Sequence, residues 1–570
     1  MLERFTKITA LFFSLLWVMV IFVEYYHNNP YYAQSFKYFQ YADLLIVFLL
    51  IGLALSWGLK KAKERKLPLH FINGLSVFGG LLVLDSLTLA TFYSKIEGIS
   101  LSAKGLFLHL GHFVGVALCV YLVGLVCRKV GNILTFLFPP KIAEQDLPII
   151  EVALGIVFTT FLLFFLGIFH LLNVFVIAPI FALILLFDWR KTRQIIYQTL
   201  FRPIPISNRF NALGVFSFLF LALFLVFDFA QILRPFPLGV DSINLYVNLP
   251  SLIAQYGGLV DGNQPYNWSL FMSLGLVLFG RVDVVLALSF LGSFLSLVAL
   301  YRLSRRWLDV NHATLCLLLY FSVPMVNFLS QMDMKIDMGL LYITLCILIL
   351  LVNWLSPTEK LISASKKTVS TTSKRKKGTP TTPSNLQQIP TSLFLHKAKS
   401  FFSKRIPPIL IENRLIVWMG IFAGFAFGIK LTALFVLFAL MTVIWYAKGG
   451  LGAFLTAVFL TMGTTFLLQL DAQAQLRQFH QHVALLQWTF LLLGLGLIVY
   501  MALKRKRLLI KLVQMSIILS MFFLLPVLPW FGKNWSETKN FSTEALLNGK
   551  KTDPTINLNV MEKKWKKVYK

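Results

Sequence analysis

LRPFPLGVDSINLYVNLPSLIAQYGGLVDGNQPYNWSLFMSLGLVLFG, residues Leu233–Gly280, breaks a chain otherwise built of long apolar runs. Leading into it is FNALGVFSFLFLALFLVFDFAQIL (210–233), and after it stands VDVVLALSFLGSFLSLVAL (282–300). Each flank supplies the ~20 residues that a helix needs to cross a bilayer. The quoted stretch instead carries Arg234 and Asp241, breaks at Gly257-Gly258 and ends on Phe279-Gly280. Ile243, Tyr246, Leu249 and Ile253 recur at helical spacing, which predicts an amphipathic helix on the membrane surface. Residues 267–280 are short for a crossing and are read as a second surface helix. That reading decides the fold, because it sets which face every later loop lies on.

Working outward, the same apolar runs recur along nearly all 570 residues. The chain is 57% hydrophobic and only 14% charged, with a mean hydropathy of +0.74. Soluble domains hold about 25% charged residues. A barrel would show ~10-residue alternating segments, so an all-α, polytopic transmembrane bundle is predicted. At ~20 residues per crossing the spans fall at about 8–26, 43–59, 72–92, 106–127, 148–168, 171–188 and 210–233. After the loop they fall at about 282–300, 311–328, 337–354, 414–429, 431–447, 453–470, 484–502 and 508–528, or about fifteen in all.

With the N-terminus inside, the basic clusters near Lys60, Arg190, Arg302 and Lys504 share the cytoplasmic face, as does Ser356–Pro408. The exception is Lys563–Lys567, which lies beyond the reach over which the rule is strong. The organisation expected is N-terminal spans over 1–233, an acidic external loop and first core part over 234–355, and a basic flexible cytoplasmic linker over 356–410. A second core part over 411–528 and a short external tail over 529–570 follow. The linker is rich in Ser, Thr, Lys and Pro, a composition too polar to offset its ordering entropy. The net charge of +29 is accounted for by such loops, so nucleic acid is not the expected partner; membrane lipids are. The four cysteines lie in or beside apolar runs without metal-ligand spacing. An integral, multi-pass location with a cytoplasmic N-terminus follows.

Asp241 heads the surface stretch. A carboxylate there can take a proton from an acceptor hydroxyl or hold a metal, or it can merely cap the helix. Asp337 opens a span from the same face, with Lys335 beside it. Two acids from separate helices suit a metal clamp or a base and its orienter, and Asp241 with Asp337 would hold any divalent ion. Lys430, between two spans, either binds phosphate or snorkels. Arg234 and Arg281 flank the loop as phosphate ligands or interface anchors. Asp85, His109, His112, His170 and Asp228 lie within apolar runs and form either a proton or ion path or helix–helix hydrogen bonds. Gly424 and Gly428, four apart, predict close helix packing. No Walker A loop, dinucleotide fingerprint, nucleophile elbow or HExxH is present.

The run Val240–Gly280, with its Asp, surface helix and LFG ending, resembles the first external loop of GT-C superfamily glycosyltransferases. ALYRLSRRW (299–307) is similar to the cytoplasmic end of that family's next span, and KIDMGLLYITL (335–345) resembles its second acidic motif. GIFAGFAFGIKLTALF (420–435) resembles its Gly-rich hairpin, and LPWFGKNW (528–535) the Pro-Trp…Asn segment of polyprenyl-sugar-dependent bacterial members. The order matches over roughly 234–535. About seven spans precede the loop where the family usually has one. The resemblance implies a lipid-linked sugar donor on a polyprenyl phosphate, inverting transfer to a cell-envelope acceptor, and a bacterial cytoplasmic membrane. It assigns Asp241 as base or metal-site residue, Asp337 as its support and Lys430 to the lipid phosphate; Arg234 and Lys335 are further substrate-binding candidates by their place in the sequence. The rivals are a transporter or polymerase of lipid-linked saccharides, and a non-catalytic membrane scaffold.

Overall fold

The structure, a computed structural model, describes residues 73–93, 102–202, 211–234, 246–261, 264–331, 335–356, 405–467 and 480–548, with Ile243 and scattered positions between 50 and 64. The expected first span, Asp241, most of the 356–410 linker and the chain beyond residue 548 lie outside the described residues. Among the described residues all regular structure is helical, and the protein is a multi-pass, all-α membrane protein.

In chain order the helices are α1 (Gly74–Tyr93), α2 (Ala103–Leu137), α3 (Leu147–Ile168), α4 (Val174–Leu186), α5 (Trp189–Ile196), α6 (Ala212–Ile232), α7 (Asn248–Tyr256), α8 (Asn267–Met272) and α9 (Leu274–Phe279). They continue as α10 (Val282–Ser304), α11 (Val310–Phe321), α12 (Pro324–Gln331), α13 (Asp337–Leu355), α14 (Pro408–Glu412), α15 (Arg414–Ile429), α16 (Leu434–Leu467), α17 (His480–Lys504), α18 (Lys506–Thr538) and α19 (Thr543–Asn548). Local chemistry sets many of the ends. Asn173, Asn211 and Asp309 cap α4, α6 and α11 by accepting backbone N–H groups. Gly280 ends α9 at φ +63, a left-handed position that glycine occupies without a Cβ penalty.

Eight helices are long and apolar enough to cross a membrane among the described residues, and five shorter apolar helices accompany them. The segments expected at 431–447 and 453–470 are two helices that meet at Gly450 (φ +71) within α16, whereas the segment expected at 311–328 is divided, Pro324 opening a separate short helix after α11. Residues 267–279 are two short helices rather than one, and they are buried rather than on the surface, with Trp268, Phe271 and Leu274 all at 0% exposure. Their Leu-, Phe- and Met-rich sequence has no polar face to turn outward. The last long helix runs through Pro526 and Pro529 to Thr538, so the expected tail begins as helix.

The chain forms two compact units. The first comprises Met1–Val126, Leu172–Gly257 and Met272–Tyr342. Its hub is α6, on which α1, α10, α11 and α12 pack. Phe113 of α2 sits 4.6 Å from Phe229 of α6, which lies 5.8 Å from Phe290 of α10. Gly214 gives Asn311 room to reach α6, where its Oδ1 accepts the Asn211 N–H at 3.0 Å.

The second unit comprises Cys127–Leu171, Gly258–Phe271 and Ile343–Lys570. Lipid tails are as apolar as Leu, so membrane helices associate through close packing and hydrogen bonds. The α15–α18 pair uses the first of these. Gly420 faces Leu519 and Phe523, and Gly424 faces the Phe523 carbonyl and Pro526, where a Cβ would collide with backbone. The packing role read from Gly424 and Gly428 thus holds, with Gly428 lying against the Asn267 side chain. By contrast α17 turns Trp488, Leu492, Leu495 and Leu503 outward, the environment expected against lipid.

Candidate functional site

In the second unit a loop, the Gly-rich helix and the last long helix meet in one polar network. The loop brings Tyr266 back to Val260. Tyr266 Oη accepts the Val260 N–H at 2.8 Å, and the buried Tyr266 ring meets the edge of Trp530 at 4.5 Å. Burial holds the Tyr266 phenol well above its ordinary range, so it remains protonated. Phe164 of α3 packs on Trp530 at 4.7 Å, and the Leu259 N–H bonds to the Gly167 carbonyl at 3.3 Å.

Asn267, the first residue of α8, is the peg of this network. Its Nδ2 donates to the Phe425 carbonyl of α15 at 3.0 Å, and its Oδ1 accepts the indole N–H of Trp530 at 2.7 Å. Asn267 is 3% exposed and Trp530 1%. At that burial each polar atom needs its partner, because a stranded one loses its hydration without return. Only a side chain offering both a donor and an acceptor can serve the two neighbours, which explains an asparagine among apolar helices.

One to two turns beyond Trp530, α18 carries Lys533, Asn534 and Glu537. Lys533 forms a close ion pair with Glu537, four residues on, and lies 3.8 Å from Asp261 in the loop. The Lys533 and Glu537 side chains are 7% and 12% exposed, whereas Asp261 is 70% exposed. The Asp261 carboxyl is raised above its usual range by partial burial and by the charge of Glu537; Lys533 and, more weakly, His170 oppose this. Asn534 Nδ2 donates to the Leu546 and Leu547 carbonyls at 2.8 and 3.2 Å, which docks α19. A solvent-facing carboxyl with a raised proton affinity, next to a shielded ion pair, has the means for proton transfer.

Lys533→Met tests the electrostatics. The variant loses the cation that lowers Asp261, so that carboxyl rises further from 3.8. A raised carboxyl favours the fold fully below its unfolded value, and the favour disappears as pH rises through its folded value. Thermal unfolding of the full chain should therefore show a larger loss for Lys533→Met at neutral than at acidic pH. An equal loss at both would refute the assignment.

The residues expected from sequence are distributed as follows. Asp241 lies outside the described residues. Asp337 is the half-buried first residue of α13, and Lys335 is half-buried just ahead of it. Arg234 follows α6, and burial lowers its guanidinium from the usual range without discharging it. These three belong to the first unit. Lys430, the extended C-cap of α15, belongs to the second. Arg281 pairs with Asp283, Nε to Oδ1 at 3.0 Å and Nη2 to Oδ2 at 2.5 Å. No group of three or more His, Cys, Asp or Glu side chains suited to a metal occurs among the described residues.

Asp261, Lys533 and Glu537 are the residues that sequence reasoning missed. Their signal was the four-residue spacing of Lys533 and Glu537, which places both on one helix face. It is readable only if the helix continues through Pro529. In comparisons with models of known families, with curated proteins and with solved structures, the chain matches none of them.

Proposed function

We propose that the chain is a membrane glycosyltransferase that moves a sugar from a polyprenyl-phosphate donor to a cell-envelope acceptor with inversion. The observation that carries this reading is the joining of three resemblance segments in the second unit. The end of the acidic loop, the Gly-rich helix and the Pro-Trp…Asn segment share the bonds of Asn267 to Phe425 and Trp530. Separate motifs of one site are expected to meet, and these three do so at a single buried residue.

In the proposed reaction Asp241 accepts the proton of the acceptor hydroxyl as its oxygen attacks the anomeric carbon. The new C–O bond forms while the bond to the phosphate oxygen breaks, and polyprenyl phosphate leaves with the electron pair. Arg234 and Lys335 are the cations proposed to hold the phosphate. Asp337 supports the base. The reaction face is the non-cytoplasmic side of a bacterial cytoplasmic membrane.

Two measurements test the reading. Envelope glycans of a deletion strain should lack one sugar by mass, and unchanged glycans would remove the function. Cysteine labelling tests the orientation, once Cys119, Cys127, Cys316 and Cys346 are replaced. A cysteine at Ser370, in the lysine-rich linker, should be protected from an impermeant reagent in intact cells. One at Phe541, which is 76% exposed, should react. Moving a charge to mid-membrane is unfavourable by ~2.5–3.5 kcal/mol on insertion scales, so a linker with many lysines resists export. The reverse pattern would put Asp241 in the cytoplasm, where this transferase could not use it.

A further inference from the structure

We propose that Asp85, His109, His112 and Asp283 form a proton-exchange site in the first unit, independent of the transferase reading. The site is built on one face of α2. His109 and His112 are three residues apart, which makes them surface neighbours on a helix. His109 Nε2 lies 3.0 Å from Asp85 Oδ2 on α1, and His112 Nε2 lies 2.8 Å from Asp283 Oδ2 on α10.

The two Asp–His pairs are unequal, and the inequality gives the site a direction. Asp283 is well satisfied. It accepts from Arg281 through both oxygens and from the Val284 N–H at 2.8 Å, besides its contact with His112. Asp85 is fully buried, and its Oδ1 has no hydrogen-bond partner among the described residues. A carboxylate so placed is costly in apolar surroundings unless something neutralises it. A divalent ion would need several more oxygen or nitrogen ligands, and no such group occurs among the described residues. A proton needs only one carboxylate oxygen and a donor, and His109, beside Oδ2, is that donor.

Exposure falls along the array. The side chain of His112 is 37% exposed, that of His109 26% and that of Asp85 0%. A proton on His109 Nε2 moves to Asp85 Oδ2 across 3.0 Å, leaving a neutral imidazole and a neutral acid. Arg281 and Asp283 hold the outer imidazole in place. Three other groups complete the electrostatic surroundings. Cys119, on α2, is within reach of the Arg281 and Asp283 charges. Lys104 is near the start of α2. Asp228 of α6, which packs on α1, accepts from Asn327 at 2.9 Å and likewise keeps one buried oxygen without a described partner. Acid–histidine chains of this kind are how membrane proteins carry protons past hydrocarbon.

Infrared difference spectra of the full chain in bilayers of uncharged lipid, recorded between acidic and alkaline buffer, provide the test. The wild type should show a protonated-carboxyl band that Asp85→Asn removes. His109→Gln should shift that band without removing it, and this second variant keeps the test open if the first misfolds. Wild-type spectra with no carboxyl change, or spectra that neither variant alters, would overturn the proposal. So would a band that responds to sodium at constant pH, which would make this a cation site.

Discussion

Asp241→Asn is expected to lower sugar transfer by ~10²–10⁴-fold, the usual contribution of a positioned general base, while the protein stays folded in the membrane. Asparagine caps a helix about as well as aspartate, so a capping role alone predicts almost no loss. The control is Asp261→Asn, since Asp261 lies in the same loop with a carboxyl raised by burial and by Glu537. With Asp241 as base, Asp261→Asn should retain most of the transfer rate. Full activity in Asp241→Asn together with loss in Asp261→Asn would move the base to the Lys533–Glu537 cluster. Rates should be compared on purified full-length protein in proteoliposomes with a polyprenyl-phosphate-linked sugar, because a drop in cells could reflect lost insertion.

The fold was legible in the sequence where length and apolarity agreed. Arg414–Ile429 is a helix at the bounds read from its apolar run, and Leu147–Ile168 and Val282–Ser304 differ by a few residues. Legibility failed where proline and burial competed with simple rules. The last span is expected to end at about 528, yet α18 continues through Pro529 to Thr538, because neighbouring helices and waters can re-satisfy a freed carbonyl in a membrane protein. That one misjudged end hid Lys533 and Glu537. Residues 267–280 read as a surface helix because they are short for a crossing, but shortness says nothing about depth. A run with Trp268, Phe271 and Met272 can be buried in protein instead. Pairings such as Asn267 with Trp530, 263 residues apart, leave no periodic trace at all. The intramembrane acids and histidines were visible as types, but only the structure pairs His109 with Asp85 and His112 with Asp283.

Trp530→Ala should produce the largest loss of stability in the second unit. Truncating a buried tryptophan costs about 3–5 kcal/mol through lost contacts and the cavity left behind. Here the ring is also the neighbour of Phe164 and Tyr266, and its loss strands the buried Asn267 oxygen. Trp530→Phe separates the two effects. It keeps an aromatic ring between those neighbours but removes the indole N–H and part of the ring's bulk, so its cost should include the ~1–3 kcal/mol of one unsatisfied buried acceptor and stay below that of the alanine variant. Asn267→Ala should cost at least as much, since it strands the Trp530 donor and withdraws the bond to Phe425. Interhelical hydrogen bonds in membranes are often weaker, averaging ~0.6 kcal/mol in double-mutant cycles, because the unfolded chain in lipid finds other partners. A cycle combining Asn267→Ala with Trp530→Phe, read from detergent-induced unfolding of the full chain, therefore measures the bond itself. A coupling of about 0.5–3 kcal/mol is expected for groups in direct contact. Strict additivity would mean that the peg is not made, and the joining of loop, Gly-rich helix and last helix would lose its physical basis.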